Sequence, residues 1–217
     1  EDAEALGQFF RKQKGISFGD IQVKTYTNKM ATRTNLKEGL RWLQRSCTPA
    51  DIAIVQFSGH GIKRERGLYY MTHEANIEGV YYTCLNWETM AESLRKTQAK
   101  QILFLADACY AGAFGNATLA TQQELASVLR KKAGVMVFAS SSQSEVSLEK
   151  WGHGAFTKAI LESLSGKGDA NNDGKITLRE LIKSTTSRVI ELTRDKQHPI
   201  IHDLSKYDPE LVISIVQ

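Results

Sequence analysis

Apolar residues recur along this chain in two rhythms, one helical and one of strands. Within residues 2–13, Ala5, Leu6, Phe9 and Phe10 share a face at helical spacing, which predicts an amphipathic helix broken at Gly15. Residues 21–26 alternate and predict a strand. Thr34 reads as the N-cap of a helix through Leu36, Leu40, Trp42 and Leu43 that stops before Pro49. Residues 51–57, DIAIVQF, are almost continuously apolar, the pattern of a strand covered on both faces of a sheet. Two tyrosine-bearing runs, 67–72 and 79–83, read as short strands or a hairpin. Beyond them the pattern predicts a helix at 86–96, a buried strand at 102–106 and a helix at 122–132. A third buried strand at 135–139, helices at 156–164 and 178–192 and a last strand at 211–216 complete the pattern. Strands alternating with helices imply βαβ units, so the prediction is a single α/β domain over residues 1–217 with a mainly parallel sheet.

Composition narrows the picture without changing it. The 28 basic residues face 24 acidic ones and are scattered, so no nucleic-acid footprint is expected. No apolar run approaches the ~20 residues of a membrane span, and none of these residues carries a secretory-signal pattern. Cys47, Cys84 and Cys109 lie far apart, which argues against a disulfide framework and for a reducing, cytoplasmic setting.

In an open parallel sheet, functional groups gather beyond the carboxyl ends of the strands. One apolar strand runs into Ser58-Gly59-His60-Gly61 and another into Asp107-Ala108-Cys109. Glycines flank the histidine and small residues surround the cysteine, so both side chains should be accessible. His60 lies 49 residues before Cys109, room for one crossover between neighbouring strands. A thiol needs its proton taken to become a nucleophile, and an imidazole can take it. The competing reading is an inert cysteine after a strand and a histidine in a turn; the matched strand ends favour the catalytic one. Cys47 and Cys84 have no such company, and His73, His153, His198 and His202 read as surface or packing histidines.

These residues resemble a family. FSGHG and DACYAG are similar to the histidine and cysteine motifs of caspase-like cysteine peptidases, with the His-to-Cys spacing of caspases. The likeness continues through ASSSQSEVSLE, WGHGAFTKAILESL and QHPIIH, and it is nearest the metacaspase and bacterial orthocaspase branch. It implies a three-layer α/β sandwich, mainly parallel in its central sheet, with helices on both faces. It also implies a large-subunit-like part over about 1–115 and a small-subunit-like part over about 133–217. Carried over by motif, Cys109 attacks a peptide carbonyl, His60 is general acid/base, and the N–H groups of Gly61 and Cys109 hold the oxyanion. Family members open with a core strand ahead of the first helix. Glu1-Asp2-Ala3 matches the segment just after that strand, so the strand and further regulatory domains are expected outside these residues.

Asp107 departs from the animal caspase motif, which has glutamine there. A carboxylate two residues from the sulfur, on the same face of a strand, disfavours the thiolate unless a cation neutralises it. A substrate Arg or Lys before the scissile bond would supply that cation. The metacaspase resemblance implies this arrangement, with Ser58 and Asp2 assisting Asp107; the alternative is that Asp107 caps the following turn. Expected substrates are therefore proteins or peptides cut after Arg or Lys. Preference for Asp or another residue before the cut, or a silent interaction module, stays open as an alternative.

Residues 169–180, DANNDGKITLRE, match a calcium-binding EF-hand loop, with Asp169, Asn171, Asp173, Lys175, Thr177 and Glu180 at the ligand positions. The same residues read equally as a turn running into a Thr177–Glu180 capping box. Calcium is thus a candidate ion and the module a candidate sensor, while the chemistry itself calls for no cofactor. Arg130, Lys131 and Lys132 could be a self-processing site of a zymogen, though a solvated helix face is the preferred reading.

Overall fold

The computed structural model describes residues 1–108, 124, 126–129, 135–140, 154–202 and 207–216. Its central sheet has the order β1-β5-β6-β8, formed by Ile52–Gly59, Gln101–Ala108, Met136–Ala139 and Ile200–His202. The apolar runs pair in parallel, β1 with β5 and β5 with β6, and β8 closes the far edge antiparallel. Period-two alternation then sorts the side chains. Ile102, Phe104 and Ala106 of β5 pack on one face, and Leu103 and Leu105 on the other.

The first face is covered by helices α2 (Arg33–Ser46) and α4 (Trp87–Arg95), through Leu40, Trp87, Met90 and Leu94. The second is covered by α1 (Asp2–Lys12), α5 (Ala155–Glu162) and α6 (Leu178–Thr193), through Leu6, Phe10, Phe156, Ile160 and Leu181. These layers make the expected α/β sandwich with a mostly parallel sheet. Residues 124 and 126–129 are helical, inside the helix predicted for 122–132. No helix among the described residues is long and apolar enough to cross a membrane.

Four local predictions need correction. Residues 21–26 form no strand: they line, with α1, α2 and β1, a cavity of about 1350 Å³, and no described strand pairs with them. For the same reason β1 is, among the described residues, an edge strand, and most of its side chains are only half-buried, not covered on both faces. Thr32, not Thr34, caps α2, its hydroxyl accepting from the Asn35 N–H at 3.2 Å. Residues 80–83 form a helical turn, α3 (Val80–Thr83), closed by Thr83 N–H to the Gly79 carbonyl at 3.0 Å. The hairpin instead joins β2 (Gly61–Arg64) to β3 (Gly67–Tyr70), with β4 (Leu85–Asn86) beside it. The last strand, β9 (Val212–Ile215), pairs with β7 (Lys175–Thr177) in a separate ribbon.

Candidate active site

The β1–β5 register ends with Ser58 opposite Asp107 and Gly59 opposite Ala108. His60 and Cys109 are the next residues after the two strands. Cys109 itself lies outside the described residues, and so do Arg130, Lys131 and Lys132. The His60 turn is held firmly. Gly59 adopts φ 150°, and a Cβ there would stand 2.7 Å from the Tyr70 hydroxyl, so a side chain has neither the conformation nor the room. That hydroxyl donates to the Ser58 carbonyl at 2.6 Å, and burial pushes the Tyr70 pKa up to about 12, which keeps the proton in place. The Met71 N–H donates to the His60 carbonyl at 2.9 Å. His60 is half-buried, and Gly61 is buried, opening β2 opposite Tyr70.

Alternation places Gln56 and Ser58 of β1 on the α1/α5 side, with Ile54. There they meet Asp107 of β5, Gly154 and Thr157 at the start of α5, and Asp2 at the start of α1. Asp107 is only 3% exposed. Its Oδ2 accepts from the Thr157 hydroxyl at 3.0 Å, while Oδ1 is buried with no hydrogen-bond partner among the described residues. Burial is the main reason its pKa rises to about 6, and the nearby Asp2 charge pushes the same way. The hydroxyls of Thr157 and Ser140 and the Thr157 N–H oppose the rise without cancelling it. The Gly154 N–H donates to Asp2 Oδ2 at 3.4 Å. A Cβ on Gly154 would lie 2.8 Å from Asp107 Oδ2 and 3.5 Å from Asp2 Oδ2, so glycine leaves the two carboxylates room to share one site. The long cavity beside β1 reaches Asp2, Gln56, Ser58 and Gly154.

Asp2, Ser58 and Asp107, predicted to act together, are thus brought together. Gln56, Thr157, Gly154 and Tyr70 join them only in the folded chain. Of these, Gly154 and Thr157 lie inside the WGHGAFT run that carries the resemblance, but nothing in the run singles them out, and a lone Gln or Tyr has no motif of its own.

The other cysteines are poorly placed for chemistry. Burial raises the pKa of the Cys84 thiol, and burial together with the Asp51 charge raises that of Cys47. His73 is exposed and His198 Nε2 lies 2.9 Å from Asp195 Oδ1. In residues 169–180 the carboxylates are turned onto the loop's own donors. Asp169 accepts from the N–H groups of Asp173 and Gly174, and Glu180 from those of Ala170 and Thr177. Thr177 and Glu180 form the capping box of α6, and Lys175 and Thr177 lie in β7. Among the described residues no group of three or more His, Cys, Asp or Glu is arranged to hold a metal ion.

The family model of the caspase domain, Peptidase_C14, matches residues 1–207. Among solved structures, protein GSU0716 from Geobacter sulfurreducens is similar in fold, with a TM-score of 0.63 at 14% identity. That likeness covers 100% of this chain and 89% of the other. No curated protein matches the sequence.

Proposed function

The chain belongs to the caspase domain family, and from that premise we propose that it is a cysteine endopeptidase that cuts after Arg or Lys. The observation that carries the basic preference is the burial of Asp107 against Asp2 with one carboxylate oxygen unsatisfied among the described residues. A guanidinium or ammonium group would satisfy that oxygen and offset both charges. Aspartate before the cut would add a third carboxylate to the same place.

In the proposed reaction His60 takes the thiol proton of Cys109, and the sulfur attacks the substrate carbonyl carbon. The resulting oxyanion is held by the Gly61 and Cys109 N–H groups. Collapse breaks the C–N bond, and the His60 imidazolium returns its proton to the leaving amine. Water, deprotonated by His60, then hydrolyses the thioester and regenerates the thiol. No cofactor enters. The register that leaves His60 and Cys109 as the residues following a matched Gly59–Ala108 pair supports this assignment.

A library of fluorogenic peptides varied at the residue before the cut, run beside Cys109→Ala, tests it. Turnover of Arg and Lys substrates that vanishes in the variant is expected. Efficient turnover of Asp substrates with none of Arg would sink the specificity. No turnover, with no labelling of Cys109 by a peptidyl ketone, would favour the silent-module alternative.

A calcium role for residues 169–180 is a separate proposal resting on sequence spacing alone. It predicts a higher melting temperature in calcium than in chelator, and equal values would remove it.

A further inference from the structure

Thr157 of α5 and Gln56 of β1 form a hydrogen-bonded chain that ends on Asp107. The Thr157 hydroxyl lies 3.0 Å from Asp107 Oδ2, and Gln56 Nε2 lies 3.3 Å from Thr157 Oγ1 and 3.2 Å from Ser58 Oγ. Donor counting fixes the direction of this chain. An ionised carboxylate only accepts, so the single hydroxyl proton of Thr157 must go to Asp107. Thr157 can then only accept from its other neighbour, which requires the NH₂ end of the Gln56 amide to face it. The two hydrogens of that NH₂ group match the two hydroxyl oxygens, Thr157 and Ser58. With the amide reversed, its oxygen would compete with Asp107 for the Thr157 proton.

We infer that Gln56 and Thr157 are positioning residues of the acidic subsite, aiming Asp107 so that Oδ2 is engaged by the Thr157 hydroxyl and Oδ1 is left for a cationic side chain. The inference rests on the basic-specificity reading for what binds there, but not for how Asp107 is held. Among the described residues, the groups that surround Asp107 are Gln56 and Ser58 from β1, Ser140 after β6, Gly154 and Thr157 at the start of α5, and Asp2 from α1. Asp2 is the ionisable one among them. Removing the Thr157 donor therefore leaves desolvation and Asp2 to act with less opposition, and the Asp107 proton should be held to higher pH.

The experiment compares Thr157→Val, which keeps the shape of this buried side chain, with Thr157→Ser, which keeps the donor. In Cys109→Ala protein, the titration of Asp107 followed by carboxyl ¹³C NMR should move upward in Thr157→Val and return in Thr157→Ser. In the active enzyme, Thr157→Val should raise KM for a P1-Arg peptide by about tenfold, the scale of a hydrogen bond to a charged group. The acid limb of its pH profile should move with the NMR titration, kcat should change little, and Thr157→Ser should restore both. Gln56→Glu, which reverses the donor order, should act in the same direction as Thr157→Val. An unchanged Asp107 titration in Thr157→Val, or a Thr157→Ser variant as impaired as Thr157→Val, would overturn the positioning role. If the titration moves as expected but wild type cleaves no basic substrate, the positioning stands and the basic-specificity reading falls.

Discussion

A carboxylate held away from water without a cation is costly, and for Asp107 that cost takes the form of a raised pKa. Its pKa of about 6 in the fold compares with an ordinary 3.8, so the folded chain holds this proton more tightly than the unfolded one. Stability from this group is therefore fullest below about pH 4 and falls as pH rises through about 6. Above that the penalty levels off at about 3 kcal/mol, from about 1.4 kcal/mol per pKa unit. Asp107→Asn keeps an acceptor for Thr157 and removes the charge. It should melt at a higher temperature than wild type at pH 7.5, with the gap closing towards pH 4, while losing turnover of basic substrates. A variant less stable at pH 7.5 would show that the carboxylate is not the destabilising group. This residue was legible in sequence because its company was: an acid, a thiol and a glycine-flanked histidine at the ends of two apolar runs. Thr157 and Gln56 were not, since their meaning depends on a pairing of β1, β5 and α5 that no local pattern encodes.

Elements were legible where the hydrophobic pattern was long and obscured where tertiary context overrode it. Buried runs such as ILFLA and VMVF, too short for a helix, read as sheet strands, and the helices with wide apolar faces fell within a residue or two of their predicted places. Residues 21–26 alternate like a strand yet have no described neighbour to pair with, so pattern alone could not make them one. Ile200–His202 was missed because three residues carry too little periodicity. Charge also ties elements together in ways a linear reading does not see. Glu162, at the end of α5, meets Lys158, Lys167 and Arg188 at 3.0, 3.1 and 2.7 Å. Burial alone would raise its pKa, but these three cations bring it down to about 2. The stability it contributes is therefore present above about pH 4.5 and lost as pH falls towards 2. These groups are partly solvated, so Glu162→Gln should cost only about 1 kcal/mol in urea unfolding at pH 7. That deficit should shrink as the pH approaches 2; a constant deficit would mean that packing, not charge, is what the substitution disturbs.

At the scale of the molecule, the proposed acidic subsite is assembled from residues as far apart as Asp2 and Thr157, on two strands and the first turns of two helices. Wide sequence separation is why such sites escape local reading, and it also gives the subsite a structural role. Asp2 heads α1, whose Leu6 and Phe10 dock on the sheet, whereas Asp107 belongs to the sheet itself. Two like charges at that joint push the end of the helix outward, against the grip of its apolar face. A cation lodged between them turns the push into a tether, so the ligand would fasten α1 to the sheet as well as occupy a pocket. In Cys109→Ala protein, a peptide ending in arginine amide should slow amide hydrogen exchange in α1, while α4 on the opposite face keeps its rate. Binding without added protection of α1 would show that the helix is already fastened by its apolar contacts alone. If the tether holds, the end of the helix is least secure when the site is empty, and substrate itself completes the joint between the first helix and the sheet.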